Sequence, residues 1–398
     1  MSDQNPASAA ADAAPNLECT HTESFARVLS ETGITLCLST YQAHKLVLLR
    51  ARGGVVNTHY RAVEKPMGIA LSEGRLAVGM RNAIRFYARM DVPGWLAPEA
   101  PALDALYVQK NEHVTGGIDI HEMEYSKDGS LYFLNTRMSC LCRYTPAQSF
   151  DVVWRPDFIT THATDDRCHL NGMAMVDDRV RYVTMLGDSD APSGWRERKV
   201  DGGLLMDIDT GQTICSGLSM PHSPRFYNGG LFVLESGNGS ISQVDPASGK
   251  KRDILLLPGF TRGLDFCGPL AFVGLSQVRE SNTFSGLPLT ERPQERVCGV
   301  AIVDLRNGAL VGYLRFESGV EEIFAVRVLP GDRNPDIVAA NDTRANNLYH
   351  LPEAEQPEIV LPAKPEPAPE SAPESADETK TSHATELASH PEGGVAPQ

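Results

Sequence analysis

The chain has 398 residues, of which 41% are hydrophobic, and its formal net charge is −15. This length allows two or three domains or one large all-β domain. No basic stripe is present that could neutralise nucleic-acid phosphates, and no apolar run approaches the ~18 residues that span a membrane, so we expect neither nucleic acid nor membrane as a partner.

The N-terminal region combines a disordered segment with one short helix. Residues 1–16 are rich in small and polar residues, and we predict that they are disordered. The run TESFARVLSETG over residues 22–33 places its apolar residues on one helical face and ends at a glycine. The three β-type runs that follow lack a first strand of their own. We therefore expect strands around Phe324–Leu329 to complete their sheet and close the fold.

The middle of the chain repeats one pattern of short strands separated by Gly, Asp and Asn turns. Repeating units begin near residues 66, 121, 170, 222, 261 and 321. A repeat of about 40–60 residues is typical of propeller blades. We predict an all-β protein, a β-propeller of six blades over residues 17–351. Seven blades are the alternative if residues 335–350 add further strands.

The C-terminal region, residues 352–398, is acidic and rich in Pro, Glu and Ala, and we predict that it forms a disordered tail. Eight cysteines in a long chain without a secretory leader are expected to be reduced thiols, which favours a cytoplasmic protein.

An alignment of the units brings polar residues from different blades to one mouth of the central channel. The aligned positions are Met67, Glu122, Asn171, Ser223, Arg262 and Glu322, and their neighbours include His121, His169, His222 and Glu321. Because each residue occupies the same place in its blade, groups far apart in sequence should converge on one axis. Two interpretations stay open: a functional site, or hydrogen-bonded polar groups that fill the axis.

The first functional hypothesis is a small polar ligand or a peptide bound at the channel mouth. Convergent polar groups around a concave opening are typical of ligand sites, and arginine binds carboxylates or phosphates bidentately. The residues that we expect to bind this ligand are His121, His222, Arg225, Arg262 and Glu321.

The second hypothesis is a metal-dependent hydrolase that acts on an ester or lactone. Glu122, Asn171 and Glu322 offer oxygen ligands for Ca²⁺. The three aligned histidines together with Cys168 would instead suit Zn²⁺. A divalent cation would polarise the substrate carbonyl, with Glu122 or His169 as the catalytic general base.

The third hypothesis is a protein-interaction scaffold. Two long charged insertions, residues 193–199 and 276–296, interrupt the strand pattern. Long loops often carry function, so these loops or the acidic tail could bind a protein partner.

Four long motifs carry a resemblance to a known family. They are LSTYQAHKLVLLR (38–50), RCHLNGMA (167–174), SMPHSPRFYNGGLFVLESGNGS (219–240) and LPGFTRGLDFCGPLAFVGLSQVRES (257–281). In these motifs the chain resembles an uncharacterised bacterial family that carries a domain of unknown function. A shorter stretch, Asn171 to Ala174, is similar to the strand start of six-bladed lactonases of the gluconolactonase and regucalcin type. That similarity implies a metal-ligating role for Asn171.

Overall fold

Short strands, nearly all of them antiparallel, form most of the regular secondary structure of the described chain. The computed structural model describes residues 17–98, 100, 102–278 and 285–351, and the segments 1–16 and 352–398 that we predict to be disordered lie outside these ranges. In chain order, the strands of the first half are β1 Cys19–His21, β2 Ile34–Thr40, β3 Lys45–Arg52, β4 Val55–Ala62, β5 Ile69–Ser72, β6 Arg75–Gly79, β7 Ala83–Met90, β8 Leu106–Val114, β9 Ile120–Tyr125, β10 Leu131–Asn135, β11 Cys140–Arg143, β12 Asp151–Trp154 and β13 Leu170–Val176. Those of the second half are β14 Arg179–Met185, β15 Gly203–Asp207, β16 Gln212–Leu218, β17 Pro221–Tyr227, β18 Gly230–Glu235, β19 Ser240–Val244, β20 Lys251–Leu256, β21 Phe260–Cys267, β22 Leu270–Ser276, β23 Cys298–Asp304, β24 Ala309–Phe316, β25 Ala325–Pro330 and β26 Asp336–Val338.

Helices are few and short in this part of the chain. They are α1 Glu23–Thr32, α2 Pro288–Glu291 and two 3₁₀ helices, Gly194–Arg198 and Thr343–Asn347. Helix α1 confirms the predicted N-terminal helix. The Thr22 side chain accepts a hydrogen bond from the backbone N–H of Phe25 (3.3 Å), and Gly33 ends the helix at a left-handed φ of 67°. None of these helices is both long and apolar enough for a membrane span.

The strands form six blades around a common axis, and each blade is built on an antiparallel sheet of four strands. Blade 1 has the order β25-β2-β3-β4, and blades 2 to 6 are β5 to β8, β9 to β12, β13 to β16, β17 to β20 and β21 to β24. The first strands of the blades contact one another in the closed order β25, β5, β9, β13, β17, β21 and back to β25. The structure therefore confirms the six-bladed propeller.

Blade 1 closes the ring by combining the two ends of the propeller. Strand β25 pairs with β2, with Leu36 opposite Val328, as the missing first strand predicts. Strand β26 does not start a seventh blade. It pairs in parallel with β8 at the outer edge of blade 2, and β1 extends blade 6 beside β24. The alternative of seven blades is wrong because residues 335–350 supply one edge strand rather than a sheet.

Apolar side chains fill the spaces between neighbouring blades. Leu134 and Leu141 of blade 3 pack with Met173 and Val183 of blade 4, for example, and each is at most 2% exposed. Burial of each such side chain stabilises the fold by about 1.5–3 kcal/mol, so the blades hold together chiefly through these contacts.

At each junction between blades, a residue of one blade donates a hydrogen bond to a backbone carbonyl of the next blade. That carbonyl lies at the start of the innermost strand. The donor residues and accepting carbonyls are Ser39 to Met67, Gly68 to Ile120, Thr136 to Leu170, Asn171 to Pro221, Ser236 to Thr261 and Ser276 to Ile323, at 2.5–3.1 Å. Because these six carbonyls occupy the same place in their blades, they define the structural alignment of the repeats.

This alignment corrects the register that the sequence predicts. The residues that follow the six carbonyls are Gly68, His121, Asn171, His222, Arg262 and Phe324. The predicted alignment is right at Asn171 and Arg262. It is one residue early at Met67, one residue late at Glu122 and Ser223, and two residues early at Glu322. Side chains alternate between the faces of a strand, so a slip of one residue directs a side chain to the opposite side. His121, rather than Glu122, therefore corresponds to His222 and Arg262.

Candidate functional site

The starts of the innermost strands surround a cavity of about 240 Å³ at one mouth of the channel. We call it the mouth cavity. Every blade contributes to its lining, with Tyr41, Met67, His121, His169, His222 and Arg262 as one representative from each of blades 1 to 6. The three histidines and Arg262, far apart in sequence, thus share one space, as the alignment of the repeats predicts.

Three of the innermost strands are preceded by a residue in a left-handed backbone conformation. Asp119, His169 and Met220 have φ values of 54°, 51° and 48° and lie directly before β9, β13 and β17. Non-glycine residues adopt this region rarely and at a cost in free energy. All three residues line the mouth cavity. At these three strand starts, the left-handed residue therefore sets the backbone geometry of the cavity wall.

His121 and His222 are held in the same way by their own strand starts. The Nδ1 of His121 lies 3.0 Å from the carbonyl oxygen of Asp119, and that of His222 lies 2.9 Å from the carbonyl oxygen of Met220. A carbonyl can only accept, so Nδ1 carries the proton and Nε2 is an acceptor. Burial, followed by neighbouring charges that include Arg262, lowers the pKa of both imidazoles well below 6.5. Both rings are therefore neutral at pH 7.

His169 is oriented by a carboxylate instead. Its Nδ1 lies 2.9 Å from Oδ2 of Asp166, and the indole Nε1 of Trp195 donates to the same oxygen at 2.9 Å. The rings of His169 and Trp195 have centroids 4.7 Å apart, and His121 meets His169 edge-on at the same distance. His169 is thus fixed by a carboxylate on Nδ1, which is the arrangement that orients a general base.

Arg262 brings a positive charge into the mouth cavity. Its guanidinium carbon lies 3.3 Å from the centroid of the Phe324 ring, and Nη1 lies 3.5 Å from a carboxylate oxygen of Glu322. Nη2 is buried and has no hydrogen-bond partner in the part of the chain that the structure describes. Burial lowers the pKa of Arg262 to about 10, so the guanidinium is still charged at pH 7. Burial also raises the pKa of Glu322.

A second polar cluster fills the channel further along the innermost strands. The Glu122 carboxylate accepts hydrogen bonds from Nη1 and Nη2 of Arg225 at 3.0 Å each, and from Nη2 of Arg327 at 3.3 Å. Arg327 also pairs with Glu124. We call these four residues the channel plug. The channel plug therefore fits the interpretation that paired polar groups fill the axis, whereas a functional site in the mouth cavity stays a prediction.

The channel plug changes the roles predicted for Glu122 and Arg225. Both oxygens of Glu122 accept from arginines, so the geometry does not support this carboxylate as a general base or metal ligand. Arg225 also donates through Nε to the carbonyl of Leu264 (3.1 Å) and does not line the mouth cavity. Its predicted role in ligand binding has no support here, because its donors are used within the protein.

The other predicted metal ligands do not meet Glu122 in one oxygen cluster. Asn171 donates to the Pro221 carbonyl at a blade junction and accepts from the Thr184 hydroxyl at 2.8 Å, while Glu322 pairs with Arg262. Within the described ranges, no group of three or more His, Cys, Asp or Glu side chains is placed to hold a metal ion. These oxygen atoms are occupied by structural hydrogen bonds and ion pairs, so the geometry does not favour the Ca²⁺ prediction.

Two further predicted residues lie outside the set that forms the site. Glu321 does not line the mouth cavity, although its backbone carbonyl accepts from the N–H of Gln277 at 2.9 Å. Burial raises the pKa of Cys168 to about 12, so this cysteine is a protonated thiol and not a thiolate suited to Zn²⁺.

Sequence reasoning missed the side chains that support His169 and Arg262. Trp195 lies in the 3₁₀ helix of the insertion 193–199 and is 2% exposed, and Asp166 lies three residues before His169. The length of the insertion indicated a functional loop, but no local pattern indicates that its tryptophan folds back against a histidine of the same blade. Phe324 was missed because the register at Glu322 was two residues early.

The predicted protein partner stays a prediction, since residues 279–284 and the tail lie outside the described ranges.

Comparisons with known proteins support the fold and leave the activity open. A family model described as Domain of unknown function (DUF4915) matches residues 23–338. No curated protein matches the chain. A chain in the crystal structure of a nidogen/laminin complex is similar with a TM-score of 0.51 and 8% identity, over 75% of this chain and 100% of that one. A protein of unknown function from Bacteroides caccae is similar with a TM-score of 0.46 and 10% identity, over 75% and 99% of the two chains.

Proposed function

The chain belongs to the DUF4915 family, a domain of unknown function, and we propose that its propeller binds a small polar ligand in the mouth cavity. The observation that carries this proposal is the convergence of three histidines and one buried arginine on a single cavity lined by all six blades. Ligand sites combine such convergent polar groups with apolar walls. Here Trp195, Phe260 and Phe324 supply the apolar walls.

The polar groups of the mouth cavity are pre-organised before any ligand binds. Carbonyl oxygens hold His121 and His222, Asp166 holds His169, and the Phe324 ring supports Arg262. Fixed groups lose little conformational entropy on binding, which favours affinity. The cavity volume of about 240 Å³ lies just below the range of roughly 300–1,000 Å³ that is typical of pockets for drug-sized ligands. This size favours a small metabolite over a peptide.

A thermal-shift screen against single metabolites tests the proposal. The panel contains sugars, organic acids, amino acids and nucleosides, and each compound is added to the full chain, to His169→Ala and to a matched His162→Ala control. His162 is exposed and does not line the mouth cavity. We expect at least one compound to stabilise the wild type and the control, and to stabilise His169→Ala less. Hits that stabilise all three proteins equally would contradict binding in this cavity.

A second candidate function is hydrolysis of an ester or lactone with His169 as the general base. The observation in its favour is the hydrogen bond from Nδ1 of His169 to Asp166, together with the Trp195 indole that holds the carboxylate. An activity screen with ester and lactone substrates tests it. If His169 is the base, Asp166→Asn should lower kcat by about 10²-fold or more. Equal turnover in the variant and the wild type would contradict this role.

The reducing cytoplasm is the compartment that we propose for this protein. All eight cysteines are free thiols and six of them are buried, which suits a reducing environment. Within the described chain, no helix could cross a membrane.

A further inference from the structure

We propose that the ligand of the mouth cavity is a small hydroxycarboxylate, with its carboxylate at Arg262 and its hydroxyl groups at His121 and His222. This inference rests on the proposed function, because it names the chemical class of ligand for the same cavity.

The unpaired nitrogen of Arg262 indicates an anionic group in the ligand. The Arg262 side chain is only 12% exposed, yet Nη2 has no hydrogen-bond partner within the described ranges. A buried charged donor without a partner costs the folded state free energy, and an anion that reaches Nη2 would remove that cost. Stacking on the Phe324 ring fixes the plane of the guanidinium, so its two outer nitrogens present the fork that matches a planar carboxylate.

The two neutral histidines indicate that the rest of the ligand donates hydrogen bonds. His121 and His222 use Nδ1–H on backbone carbonyls, and His222 also donates to the Ser236 hydroxyl at 2.8 Å. The Ser236 hydroxyl itself donates to the Thr261 carbonyl, so it can only accept from the imidazole. Each ring therefore offers Nε2 as an acceptor. Hydroxyl groups are neutral donors that match these acceptors.

The charges around the cavity argue against a cationic group and against a phosphate. The charge of Arg262 contributes to the lowered pKa of both His121 and His222, so the potential at these rings disfavours an added cation such as an ammonium. A phosphate dianion would place a second negative charge beside the Glu322 carboxylate, which already lies 3.5 Å from Nη1. A ligand carboxylate carries a single negative charge, so it repels the Glu322 carboxylate less than a phosphate dianion does.

Calorimetric titration of the full chain tests the ligand class. The probes are unbranched hydroxycarboxylates of three to six carbons, including glycerate, threonate and erythronate. Comparison compounds test the features in turn: threitol lacks the carboxylate, butyrate lacks the hydroxyls, and 4-hydroxythreonine has an ammonium in place of the 2-hydroxyl of threonate. Inorganic phosphate tests a different anion. We expect at least one hydroxycarboxylate to bind, and each comparison compound to bind at least about tenfold more weakly. The loss of one hydrogen bond to a charged group, or of two to neutral groups, has an effect of that size.

Variants of Arg262 test where the carboxylate binds. Arg262→Met keeps the apolar stem and removes the charge, and we expect it to weaken binding by roughly 10- to 100-fold. Arg262→Lys keeps the charge without the fork and should give an intermediate loss. Arg262→Met alone leaves the Glu322 carboxylate without its ion-pair partner, which could destabilise the fold. The double variant Arg262→Met/Glu322→Gln removes both charges and therefore avoids this effect. Arg306→Met is the matched control, because Arg306 is 71% exposed and does not line the cavity.

The outcomes separate this inference from the proposed function. If amino acids, phosphates or neutral polyols bind as well as the hydroxycarboxylates while His169→Ala still weakens binding, the inference is overturned and the proposed function stands. The inference is also overturned if Arg262→Met and Arg262→Lys bind the best hydroxycarboxylate as tightly as Arg306→Met does. If no compound in either panel depends on the mouth cavity, both fail together.

Discussion

At the scale of single residues, backbone carbonyls at the strand starts decide the chemistry of two histidines. His121 and His222 each donate to a carbonyl two residues earlier in the chain. That local geometry fixes the tautomer, and burial keeps the ring neutral. A histidine near a strand start can be recognised in the sequence. The tautomer of that histidine cannot be recognised in the sequence, because it depends on the left-handed residue that positions the accepting carbonyl.

Glu122 gives the residue-scale prediction. Its side chain is 5% exposed and pairs with Arg225 and Arg327 in the channel plug. Glu122→Gln removes the charge that balances two buried arginines, and we expect it to lower the free energy of unfolding by about 3 kcal/mol. The exposed pair of Arg143 with Asp151 is the matched control, and Asp151→Asn should cost under about 1 kcal/mol. Urea unfolding measures both values, and similar small losses would show that the plug is not a stabilising network.

At the scale of strands and blades, the repeat pattern was enough to predict the architecture. Periodic apolar runs and turn residues predicted three features: the start of each unit, the helix before the first blade, and the closure of blade 1 through β25. The register at the channel did not follow, because turns before the innermost strands differ in length and the sequence does not mark the left-handed residue. An error of one residue at Glu122 was enough to exchange a cavity residue for a plug residue.

Thr136 gives the prediction at this scale. Its hydroxyl donates to the Leu170 carbonyl (2.6 Å) and links blades 3 and 4. Thr136→Val keeps the shape of the side chain and leaves a buried carbonyl without this donor, so we expect a loss of about 1–2 kcal/mol in the free energy of unfolding. Thr213→Val, on an exposed site of β16, should change it by less than about 0.5 kcal/mol. Equal losses in the two valine variants would mean that the junction hydrogen bonds do not stabilise the ring.

At the scale of the whole molecule, the closed ring explains how a site can form without a local motif. Each blade contributes one or a few side chains to the mouth cavity, and only ring closure brings them together. The sequence therefore predicted that His121, His169, His222 and Arg262 would converge. The sequence could not predict which polar side chains would pair with one another inside the channel, because Glu122 and its partner Arg225 are 103 residues apart.

The pH dependence of stability gives the prediction at this scale. The folded pKa of His121 and His222 lies below the unfolded value, so the unfolded chain binds more protons once the pH falls below about 6.5. Stability should be fully present above this pH and should decrease on acidification, by at most about 1.4 kcal/mol per pH unit for each histidine.

The variant His222→Asn isolates this contribution. Asparagine retains a donor near the Nδ1 position but does not titrate, so the slope of stability against pH between about 6.5 and 5 should become shallower than in the wild type. The raised pKa of Glu124 and Glu322 acts in the opposite direction in both proteins, and the difference between the two slopes removes it. Identical slopes by urea unfolding would mean that His222 is not a buried neutral group.

The most direct test of the mouth cavity as the binding site is a crystal structure of the full chain with the best compound from the screens. Our account predicts electron density for that compound among His121, His169, His222 and Arg262, with an anionic group within hydrogen-bond distance of the Arg262 guanidinium. Density for the compound on an outer groove between blades, with this cavity filled only by water or side chains, would contradict it.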